Sequence, residues 1–390
     1  MQIIMQAKKH YLVGRRDEGG EGLLLLGKYL ALDGSAGAEV YLDVLRPHAI
    51  LICGKRGYGK SYTMGVLIEE FARLPARVRK NFSFIIIDTM GIFSCMRTPS
   101  VEVVPGEWGR KPEGCDVRVF APKAHVRSAD VCPLEIPTGS LSFFDYCELL
   151  GIEPLSQYGA MLMNLIGDRP DFEIRELVRE ASGGLQGLLS MVNSWGLFSG
   201  KASFDALLEP GSINVIDLSG YGHEPGVKSA IVASLARALY DIRVEARRKE
   251  TCSRESPLVW MFIDEAHMFM DASAGSRACR VLANEWLRQG RQPGLSLVLA
   301  TQRPSALGRD VLSQADLIIC HRLTLKDDVQ ALEEARPSYV RETVPEAMDR
   351  LGASRGAAIV IDDTTESYHV IKVRPRSSEH GGGEPVVYLD

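Results

Sequence analysis

The chain has 390 residues, 45% hydrophobic and 24% charged, a composition typical of a globular protein with one large or two average domains. Its formal net charge of −5 excludes a protein that is basic throughout, so contacts with nucleic acid would need local patches or an assembled pore. No apolar run approaches the roughly 18 residues of a membrane helix. The eight scattered cysteines favour reduced thiols over a zinc site. We therefore expect a cytoplasmic protein without a membrane segment.

Short apolar, β-branched segments alternate with helical patterns along most of the chain. Because these segments are continuously apolar, we expect strands buried on both faces, as in a parallel sheet flanked by helices. The pattern predicts a doubly wound α/β fold. The expected strands are 49–53, 84–88, 116–120, 213–218, 260–264, 295–301, 317–321, 357–361 and 367–373, and the longest helix is expected at 227–249.

The segments between and beyond these strands divide the chain into four parts. Residues 121–211 are rich in helical patterns and polar breaks, which predicts a helical insertion riding on the sheet. The stretch before residue 49 is too short for a full separate domain, and the end of the chain carries basic residues and three consecutive glycines. The expected parts are a short β element at 1–48, the core at 49–120 and 212–373, the insertion at 121–211 and a C-terminal tail at 374–390, flexible at its glycines 381–383.

Residues 54–61 satisfy the pattern G-x-x-x-x-G-K-[ST] of a phosphate-binding loop, between an expected strand and an expected helix. Its glycines let backbone N–H groups converge on phosphate oxygens, and the helix N-terminus favours negative charge. Lys60 would neutralise the β- and γ-phosphates, and the hydroxyl of Ser61 would ligate Mg²⁺. The sequence thus predicts a site for ATP and Mg²⁺. The residues expected to bind the nucleotide are Gly54, Lys55, Arg56, Gly57, Tyr58, Gly59, Lys60, Ser61 and Tyr62.

Acidic residues end two of the expected strands. One strand ends at Asp264, with Glu265 directly after it. Asp264 would hold Mg²⁺ through water, and Glu265 would act as the general base that polarises the attacking water. Asp88 ends another strand and is a rival for the metal, but no glutamate follows it. We therefore prefer Asp264 and expect Asp88 beside the nucleotide or substrate path, or in a structural turn.

Polar and basic residues flank the strand expected at 295–301. If this strand lies between the strand of the phosphate loop and that of Asp264, Gln302 would face the γ-phosphate and the attacking water as a sensor. Before the strand, Arg288 and Arg291 are candidates for an arginine finger that reaches a neighbouring subunit, a contribution of about 10³ to 10⁵ in rate where it operates. Gln302 and the arginine finger would complete the nucleotide site that the phosphate loop begins.

Taken together and in order, these motifs resemble those of the HerA branch of the HerA/FtsK hexameric DNA-translocating ATPases. The resemblance runs from about residue 49 to the C-terminus. It implies a RecA-like P-loop ATPase core of the class with an additional strand and a catalytic glutamate. It rests on the phosphate loop, Ile-Asp-Thr-Met-Gly at 87–91, Ile-Asn-Val-Ile-Asp-Leu-Ser at 213–219, Ile-Asp-Glu-Ala-His at 263–267, Gly-Arg at 290–291, Ala-Thr-Gln-Arg-Pro-Ser at 300–305, Val-Arg-Pro-Arg at 373–376 and His-Gly-Gly at 380–382.

Applied residue by residue, the resemblance implies that Lys60 and Ser61 bind nucleotide and Mg²⁺, with Asp264 positioning the metal. It implies Glu265 as base, Gln302 as sensor and Arg291 as the finger that acts on a neighbouring subunit. It further implies a homohexamer with ATP at its interfaces, double-stranded DNA in a central channel, and an associated nuclease or effector in DNA-end processing or antiviral defence.

Two features depart from the family pattern. The usual N-terminal β-barrel does not fit before residue 49, so we expect a chain that lacks it. The acidic turn expected after Asp88 is replaced by Met-Gly-Ile-Phe at 90–93. For DNA, electrostatics favours basic residues on pore loops that touch phosphates, and Arg277 and Arg280 occupy such a position after the Asp-Glu pair.

Other functions fit parts of the sequence. Residues 264–267 spell the box of a DEAH-type RNA helicase, but the box lies 264 − 60 = 204 residues after Lys60, too far for that class. A related ring ATPase of secretion or conjugation would carry a membrane anchor or a long N-terminal module. A third reading is an ATPase scaffold that assembles and activates a nuclease, with hydrolysis secondary.

Overall fold

The computed structural model describes residues 10–16, 20–31, 34–102, 104–126, 128–221, 226–250, 256–272 and 275–383. Residues 1–9 of the expected N-terminal element and 384–390 of the expected tail lie outside these ranges. Within them, no helix combines the length and the apolar character that crossing a membrane requires. The strands are β1 (His10–Val13), β2 (Leu23–Leu30), β3 (Ala36–Asp43), β4 (Ala49–Cys53), β5 (Phe82–Asp88), β6 (Arg118–Pro122), β7 (Val131–Leu134), β8 (Ile136–Pro137), β9 (Phe198–Ser199), β10 (Ile213–Asp217), β11 (Leu258–Ile263), β12 (Leu295–Thr301), β13 (Leu317–Cys320), β14 (Ala357–Asp362) and β15 (Ser367–Val373).

The described strands form one sheet of thirteen strands, in the order β1-β3-β2-β15-β14-β13-β4-β12-β11-β5-β10-β6-β7, and β8 pairs separately with β9. From β13 to β7 all neighbours are parallel. The expected parallel sheet is therefore confirmed for this half. The strand expected at 357–361 is β14, which runs antiparallel to β13 and β15. Its continuous apolar residues report burial on both faces, and burial does not determine strand direction.

Helices cover both faces of the sheet. Consecutive residues of each strand point to opposite faces, so each strand contributes to two hydrophobic cores. On one face, Met64, Leu67 and Phe71 of the first helix pack in a core with Ile50 and Ile52 of β4. The other core holds the intervening Leu51 with the longest helix, whose bounds are those expected. The helices are α1 (Lys60–Arg73), α2 (Ala76–Arg79), α3 (Phe143–Leu150), α4 (Gln157–Ile166), α5 (Ile174–Glu180), α6 (Gly183–Ser194), α7 (Val227–Lys249), α8 (His267–Met270), α9 (Arg277–Arg280), α10 (Arg309–Gln314), α11 (Lys326–Ala335), α12 (Val344–Leu351) and a π-helical segment, Val281–Leu287.

The expected insertion combines strands and helices. Its first part contains β7, which extends the main sheet beside β6, and β8, which pairs with β9 near its end. The helices α3 to α6 lie between them, and their apolar residues join the same core as α7. Ser142 begins α3 as part of a capping box with Asp145, which explains why the helix starts there. The insertion therefore thickens the layer that covers the α7 face.

The described residues near both ends of the chain belong to the same sheet or pack against it. Through β2, the N-terminal β element pairs with β15, so β1 to β3 extend the core sheet. After β15, residues 374–378 cross α1, where Arg374 and Arg376 are buried against Glu69. Residues 374–378 of the expected tail are therefore packed against α1. The physical reason is that buried carboxylates of α1 bind these basic residues.

Candidate active site

The phosphate loop connects β4 to α1 as the sequence predicts. Gly54 and Gly59 both have positive φ values, 152° and 120°, which favour glycine. A Cβ atom on Gly54 would lie 2.6 Å from the Cβ of His321, so this position has no room for a side chain. The backbone N–H of Lys55 donates to the carbonyl of Arg322 at 2.8 Å. The loop thus rests directly on the end of β13.

Three neighbouring strands bring the predicted residues to one edge of the sheet. The strand β12 lies between β4 and β11, with Thr301 beside Cys53 and Leu299 beside Ile263. The strands are parallel, so their carboxyl ends share this edge. This arrangement is the condition under which Gln302 was expected to face the phosphates. The phosphate loop, Gln302 and the Asp264–Glu265 pair consequently follow three adjacent strands.

The hydroxyl of Ser61 donates to the carboxylate of Asp264, at 3.1 Å to one oxygen and 3.3 Å to the other. Asp264 is almost fully buried. Burial and the nearby charge of Glu265 raise the pKa of Asp264 to about 6. A buried carboxylate beside a hydroxyl provides hard oxygen ligands that gain from a cation. The two side chains therefore fit Mg²⁺, which binds few protein ligands besides water and phosphate oxygens.

Lys60 is buried at the first position of α1. Burial lowers the pKa of its amine, and the charges of Glu265 and Asp264 oppose that effect. The ammonium thus lies in a pocket where water screens its charge poorly, which strengthens its attraction for phosphate. Arg56, in the same loop, is exposed and adds a second positive charge near Glu265.

Glu265 has an unusual backbone conformation, with φ at 49° in a residue that is not glycine. Such a conformation costs about 1 to 3 kcal/mol, and residues with this strain concentrate at active sites. Its backbone N–H donates to Asp264 at 3.0 Å. Within the described residues, its buried Oε2 accepts no hydrogen bond, although Nδ1 of His267 lies 3.4 Å away. Burial raises the pKa of Glu265, which makes its carboxylate a stronger base.

Gln302 is half-buried, directly after β12. The hydroxyl of the preceding Thr301 lies 3.2 Å from Nδ1 of His267 and accepts a hydrogen bond from the N–H of Arg303. His267, three residues after Asp264, therefore connects the end of β12 to Glu265. The sequence predicts His267 only as part of the Ile-Asp-Glu-Ala-His motif, and its position two residues after Glu265 was the available signal.

His321 packs against Gly54 and Gly59 of the phosphate loop, a role that the sequence analysis did not predict. It is fully buried, with Nε2 2.9 Å from the hydroxyl of Thr63 and Nδ1 2.9 Å from the carbonyl of Ala357. Because a carbonyl only accepts, Nδ1 carries the proton and Nε2 accepts from Thr63. Burial lowers the pKa of His321 to about 4, so the ring is neutral. A histidine at the end of a buried strand next to the loop strand was the signal.

Asp88 forms a structural turn. Its carboxylate accepts hydrogen bonds from the backbone N–H groups of Met90, Gly91 and Phe93, at 3.1, 2.8 and 2.8 Å. Burial raises the pKa of Asp88 to about 6, although these N–H groups act in the opposite direction. Both oxygens are engaged, and the geometry therefore favours the turn interpretation over the rival metal site.

Arg291 lies at the opposite edge of the sheet from the phosphate loop. It precedes β12, whereas Gln302 follows that strand, and seven strand residues span about 20 Å. Its guanidinium donates to Asp316 at 3.1 Å, and 69% of the side chain is exposed. This distance prevents Arg291 from reaching the phosphate loop of its own chain. Arg288 is also exposed and pairs with Asp310.

The two candidate DNA residues differ in their surroundings. Arg277 forms an ion pair with Asp145 of the insertion and donates to Ser142 at 3.1 Å, so only 14% of its side chain is exposed. Arg280 is 59% exposed, with Glu148 at 4.0 Å. Its guanidinium also donates to a backbone carbonyl at 2.7 Å. The geometry favours a structural role for Arg277, which ties α9 to α3, and leaves Arg280 accessible.

Known proteins are similar to this chain over part or most of its length. A family model described as the central domain of the helicase HerA matches residues 26–181. A probable DNA double-strand break repair helicase HerA from Methanocaldococcus jannaschii is 24% identical over 88% of this chain and 75% of its own length. A DNA double-strand break repair helicase HerA from Sulfolobus acidocaldarius is 27% identical, over 45% of this chain. The chain covers only 34% of that relative's length.

Solved structures share the fold at low sequence identity. VirB4 of Thermoanaerobacter pseudethanolicus superposes with a TM-score of 0.61 at 16% identity, covering 93% of this chain and 98% of that one. The bacterial conjugative coupling protein TrwB gives 0.54 at 16% identity, covering 95% and 91%. The predicted P-loop ATPase fold is therefore confirmed over nearly the whole chain.

Proposed function

The chain carries the motifs and the fold of a HerA-type ATPase, and from this premise we propose that it hydrolyses ATP as a ring motor on double-stranded DNA. The observation that carries the proposal is that Glu265 and Arg291 lie at opposite edges of one sheet. A single subunit cannot bring both to one nucleotide, whereas a head-to-tail neighbour in a ring can. Hydrolysis then requires assembly, and we take the ring to be a homohexamer.

Each group of the candidate site has a role in this reaction. The backbone N–H groups of the phosphate loop and the ammonium of Lys60 bind the phosphates, and Ser61 and Asp264 hold Mg²⁺. When bound, Mg²⁺ neutralises charge on the β- and γ-phosphate oxygens. The carboxylate of Glu265 accepts the proton of the attacking water, and the amide of Gln302 orients that water.

Arg291 acts on the nucleotide of the neighbouring subunit. Its guanidinium stabilises the negative charge that develops on the transferred phosphoryl group, because it donates to the oxygens that carry this charge. Since Arg291 comes from another subunit, hydrolysis responds to contacts between subunits. Such a dependence lets the subunits of a ring motor hydrolyse ATP in a controlled order.

The catalytic roles are tested by comparing three variants. Glu265→Gln should bind ATP and lose turnover by about 10² to 10⁴. Arg291→Ala should lose about 10³ to 10⁵ while nucleotide binding is kept. Arg288→Ala tests the other finger candidate, which is exposed three residues earlier and pairs with Asp310, and it should keep more turnover than Arg291→Ala. Equal losses in Arg288→Ala and Arg291→Ala would reject a specific finger.

Assembly is tested by concentration. Turnover per subunit should fall when the protein is diluted into monomers, whereas some nucleotide binding should remain, because the phosphate loop lies within one chain. Particle mass with and without nucleotide should report the ring and its stoichiometry. Constant turnover per subunit at concentrations where only monomers exist would contradict the proposal.

Double-stranded DNA is the proposed track, as the names of the archaeal relatives suggest. Arg280 is the candidate contact, because Arg277 is already paired within the chain. Loss of a phosphate contact reduces the salt slope of binding by about 1. We expect Arg280→Ala to lower this slope and Arg277→Ala to leave it unchanged while destabilising the protein. An ATPase stimulated by single-stranded but not by double-stranded DNA would favour a conjugation-type role.

An associated nuclease or effector is the proposed partner, in DNA-end processing or antiviral defence. A nuclease whose gene lies beside the gene of this chain is the candidate partner, and the two proteins should purify together. Nuclease activation by wild type and by Glu265→Gln then separates a motor from a scaffold. Full activation by the variant, despite its loss of hydrolysis, would make the scaffold interpretation correct.

A further inference from the structure

Five charged side chains of alternating sign lie in a row that starts at the ends of β1 and β3 and continues past the amino ends of β4, β13 and β12. The row begins in the N-terminal β element and ends at Arg291. Arg15 Nη1 lies 3.2 Å from Asp43, whose other oxygen lies 3.8 Å from Nε2 of His48. Nδ1 of His48 lies 2.9 Å from Oδ2 of Asp316, and the same oxygen accepts from Arg291 at 3.1 Å.

Burial changes sharply along this row. The first four side chains are nearly inaccessible, at most 8% exposed for Asp316, whereas Arg291 is 69% exposed. The exposed pair between Asp316 and Arg291 contributes little to stability, because water screens the exposed partner. Its geometry is nevertheless well defined, because several hydrogen bonds hold Asp316.

Asp316 is held from several directions. Its Oδ1 accepts from the backbone N–H of Ala49 at 2.7 Å. Its own N–H donates to the carbonyl of Ala49 at 3.0 Å, and its carbonyl accepts from Asp363 at 2.9 Å. Burial alone would lower the pKa of His48, but its hydrogen bond to Asp316 and the carboxylate of Asp43 raise it to about 9. At neutral pH His48 is therefore a cation, and its ring nitrogen holds the side chain of Asp316 in place.

The guanidinium of Arg291 is thus fixed on one side and open on the other. A guanidinium has five N–H donors, and one bond to Asp316 leaves others for a ligand. Beside it lies a cavity of about 230 Å³, lined by Arg288, Arg291, Asp316 and Asp363 among others. This cavity gives a neighbouring subunit's phosphates room to approach.

We propose that Asp316, held in place by His48, is a positioning residue that presents Arg291 to the nucleotide of the neighbouring subunit. The inference rests on the proposed role of Arg291 in the ring. Asp316 itself touches no nucleotide; it restricts the rotamers of Arg291 before the subunits meet. A preorganised donor loses less entropy when it binds the developing charge.

The test uses complementation in mixed rings of this chain. Asp316→Asn presents an amide N–H or a neutral oxygen to Arg291, and we expect turnover to fall about 10- to 100-fold, by analogy with residues that orient metal ligands. ATP binding should stay unchanged, because the phosphate loop lies at the other edge of the sheet. His48→Gln removes the cation behind Asp316 and should give a smaller loss in the same direction.

The Lys60→Ala subunit cannot use its own nucleotide, but it carries an intact Arg291 and Asp316. Mixed with Asp316→Asn, it should restore part of the turnover, because it supplies a well-positioned finger to the variant's nucleotide. Arg291→Ala should be restored in the same way. Glu265→Gln should not be restored, because its defect lies in the site that holds its own nucleotide.

The possible outcomes separate the inference from the proposed function. Unchanged turnover in Asp316→Asn, or a loss that Lys60→Ala does not restore, would overturn the positioning role. If Asp316→Asn does not fold, His48→Gln in the same mixing experiment decides. If Arg291→Ala keeps full turnover, the trans-acting finger of the proposed function is wrong, whatever Asp316 does.

Discussion

The hydroxyl of Ser61 lies 3.1 Å from a carboxylate oxygen of Asp264, although 203 residues separate the two in the chain. The first residue belongs to α1, and the second follows β11. They meet because β4, β12 and β11 are parallel neighbours in the sheet, so the carboxyl ends of all three strands lie at one edge. The proposed metal site is thus a product of strand order.

Removing the hydroxyl of Ser61 tests this metal site. We expect Ser61→Ala to lower Mg²⁺-dependent turnover about a hundredfold, equivalent to roughly 3 kcal/mol of transition-state stabilisation. Ser61→Thr is the matched control, because threonine keeps the hydroxyl at the same position and satisfies the same motif. ATPase rates over a Mg²⁺ titration are the measurement. Equal rates for wild type and Ser61→Ala at all Mg²⁺ concentrations would exclude Ser61 as a ligand.

Asp264 should lower the stability of the nucleotide-free protein. Burial first, and then the charge of Glu265, raise the pKa of Asp264 to about 6. Between about 3.9 and 6 the native state binds more protons than the unfolded chain, so the free energy of unfolding falls as pH rises through this window. Above pH 6 the loss is complete and amounts to at most about 3 kcal/mol.

Asp264→Asn removes this charge at nearly constant shape. We expect the variant to be more stable than wild type by up to about 3 kcal/mol at pH 7.5, with the difference vanishing near pH 4. Urea unfolding without nucleotide at both pH values is the measurement. Asp310→Asn, at an exposed aspartate, is the control and should show no such difference. Equal stability of Asp264→Asn and wild type at pH 7.5 would contradict the expected cost.

The composite site was predictable because each part carries a local signal. Lys60 and Ser61 belong to a fixed spacing between a strand and a helix, and Glu265 follows an acidic strand end. The strand order was only conditional in the sequence, because contacts between strands depend on residues far apart. The direction of β14 was missed for a related reason: an apolar run reports burial and carries no sign of direction.

Charged residues were the least predictable part of the molecule. Arg277 was expected on a loop that contacts DNA and Arg374 in the C-terminal tail, whereas both side chains are largely buried against acidic partners. Their partners are Asp145 and Glu69, which lie 132 and 305 residues away by residue number. No local pattern announces such pairs. The same holds for Asp316 and Arg291, whose relation depends on the packing of two strand ends.

His321 should make the protein sensitive to acid. Burial lowers the pKa of His321 to about 4, so the native state binds fewer protons than the unfolded chain between pH 4 and about 6.5. The stabilisation is fully present above pH 6.5 and is lost as pH falls through the native pKa, a change of about 3 kcal/mol. This dependence has the opposite sign to that of Asp264.

The variant His321→Gln isolates this contribution. We expect wild type to lose about 3 kcal/mol more than the variant between pH 7 and pH 4, because glutamine does not titrate. Chemical unfolding at a series of pH values gives both curves. His10→Gln, at an exposed position on β1, should follow the wild-type curve. Parallel curves for wild type and His321→Gln would show that His321 is not buried as a neutral ring.

The segment after β15 should stabilise the helix of the phosphate loop. Arg374 is fully buried, 2.7 Å from Glu69 and 3.0 Å from Glu70. Burial opposes ionisation of Glu69, but the charges of Arg374 and Arg376 outweigh it and lower the pKa of that carboxyl. Glu69 is therefore ionised at neutral pH and depends on these partners.

Arg374→Met leaves part of this buried negative charge uncompensated. We expect the free energy of unfolding to fall by about 3 to 5 kcal/mol. Arg73→Met is the matched control, since Arg73 lies 3.8 and 3.6 Å from the same two glutamates but is one quarter exposed, and we expect a loss below about 1 kcal/mol. The double variant Glu69→Gln with Arg374→Met should recover part of the loss, because the unpaired charge is removed. Equal losses in Arg374→Met and Arg73→Met would show that the buried ion pair contributes no more to stability than the partly exposed one. The segment after β15 would then not stabilise α1.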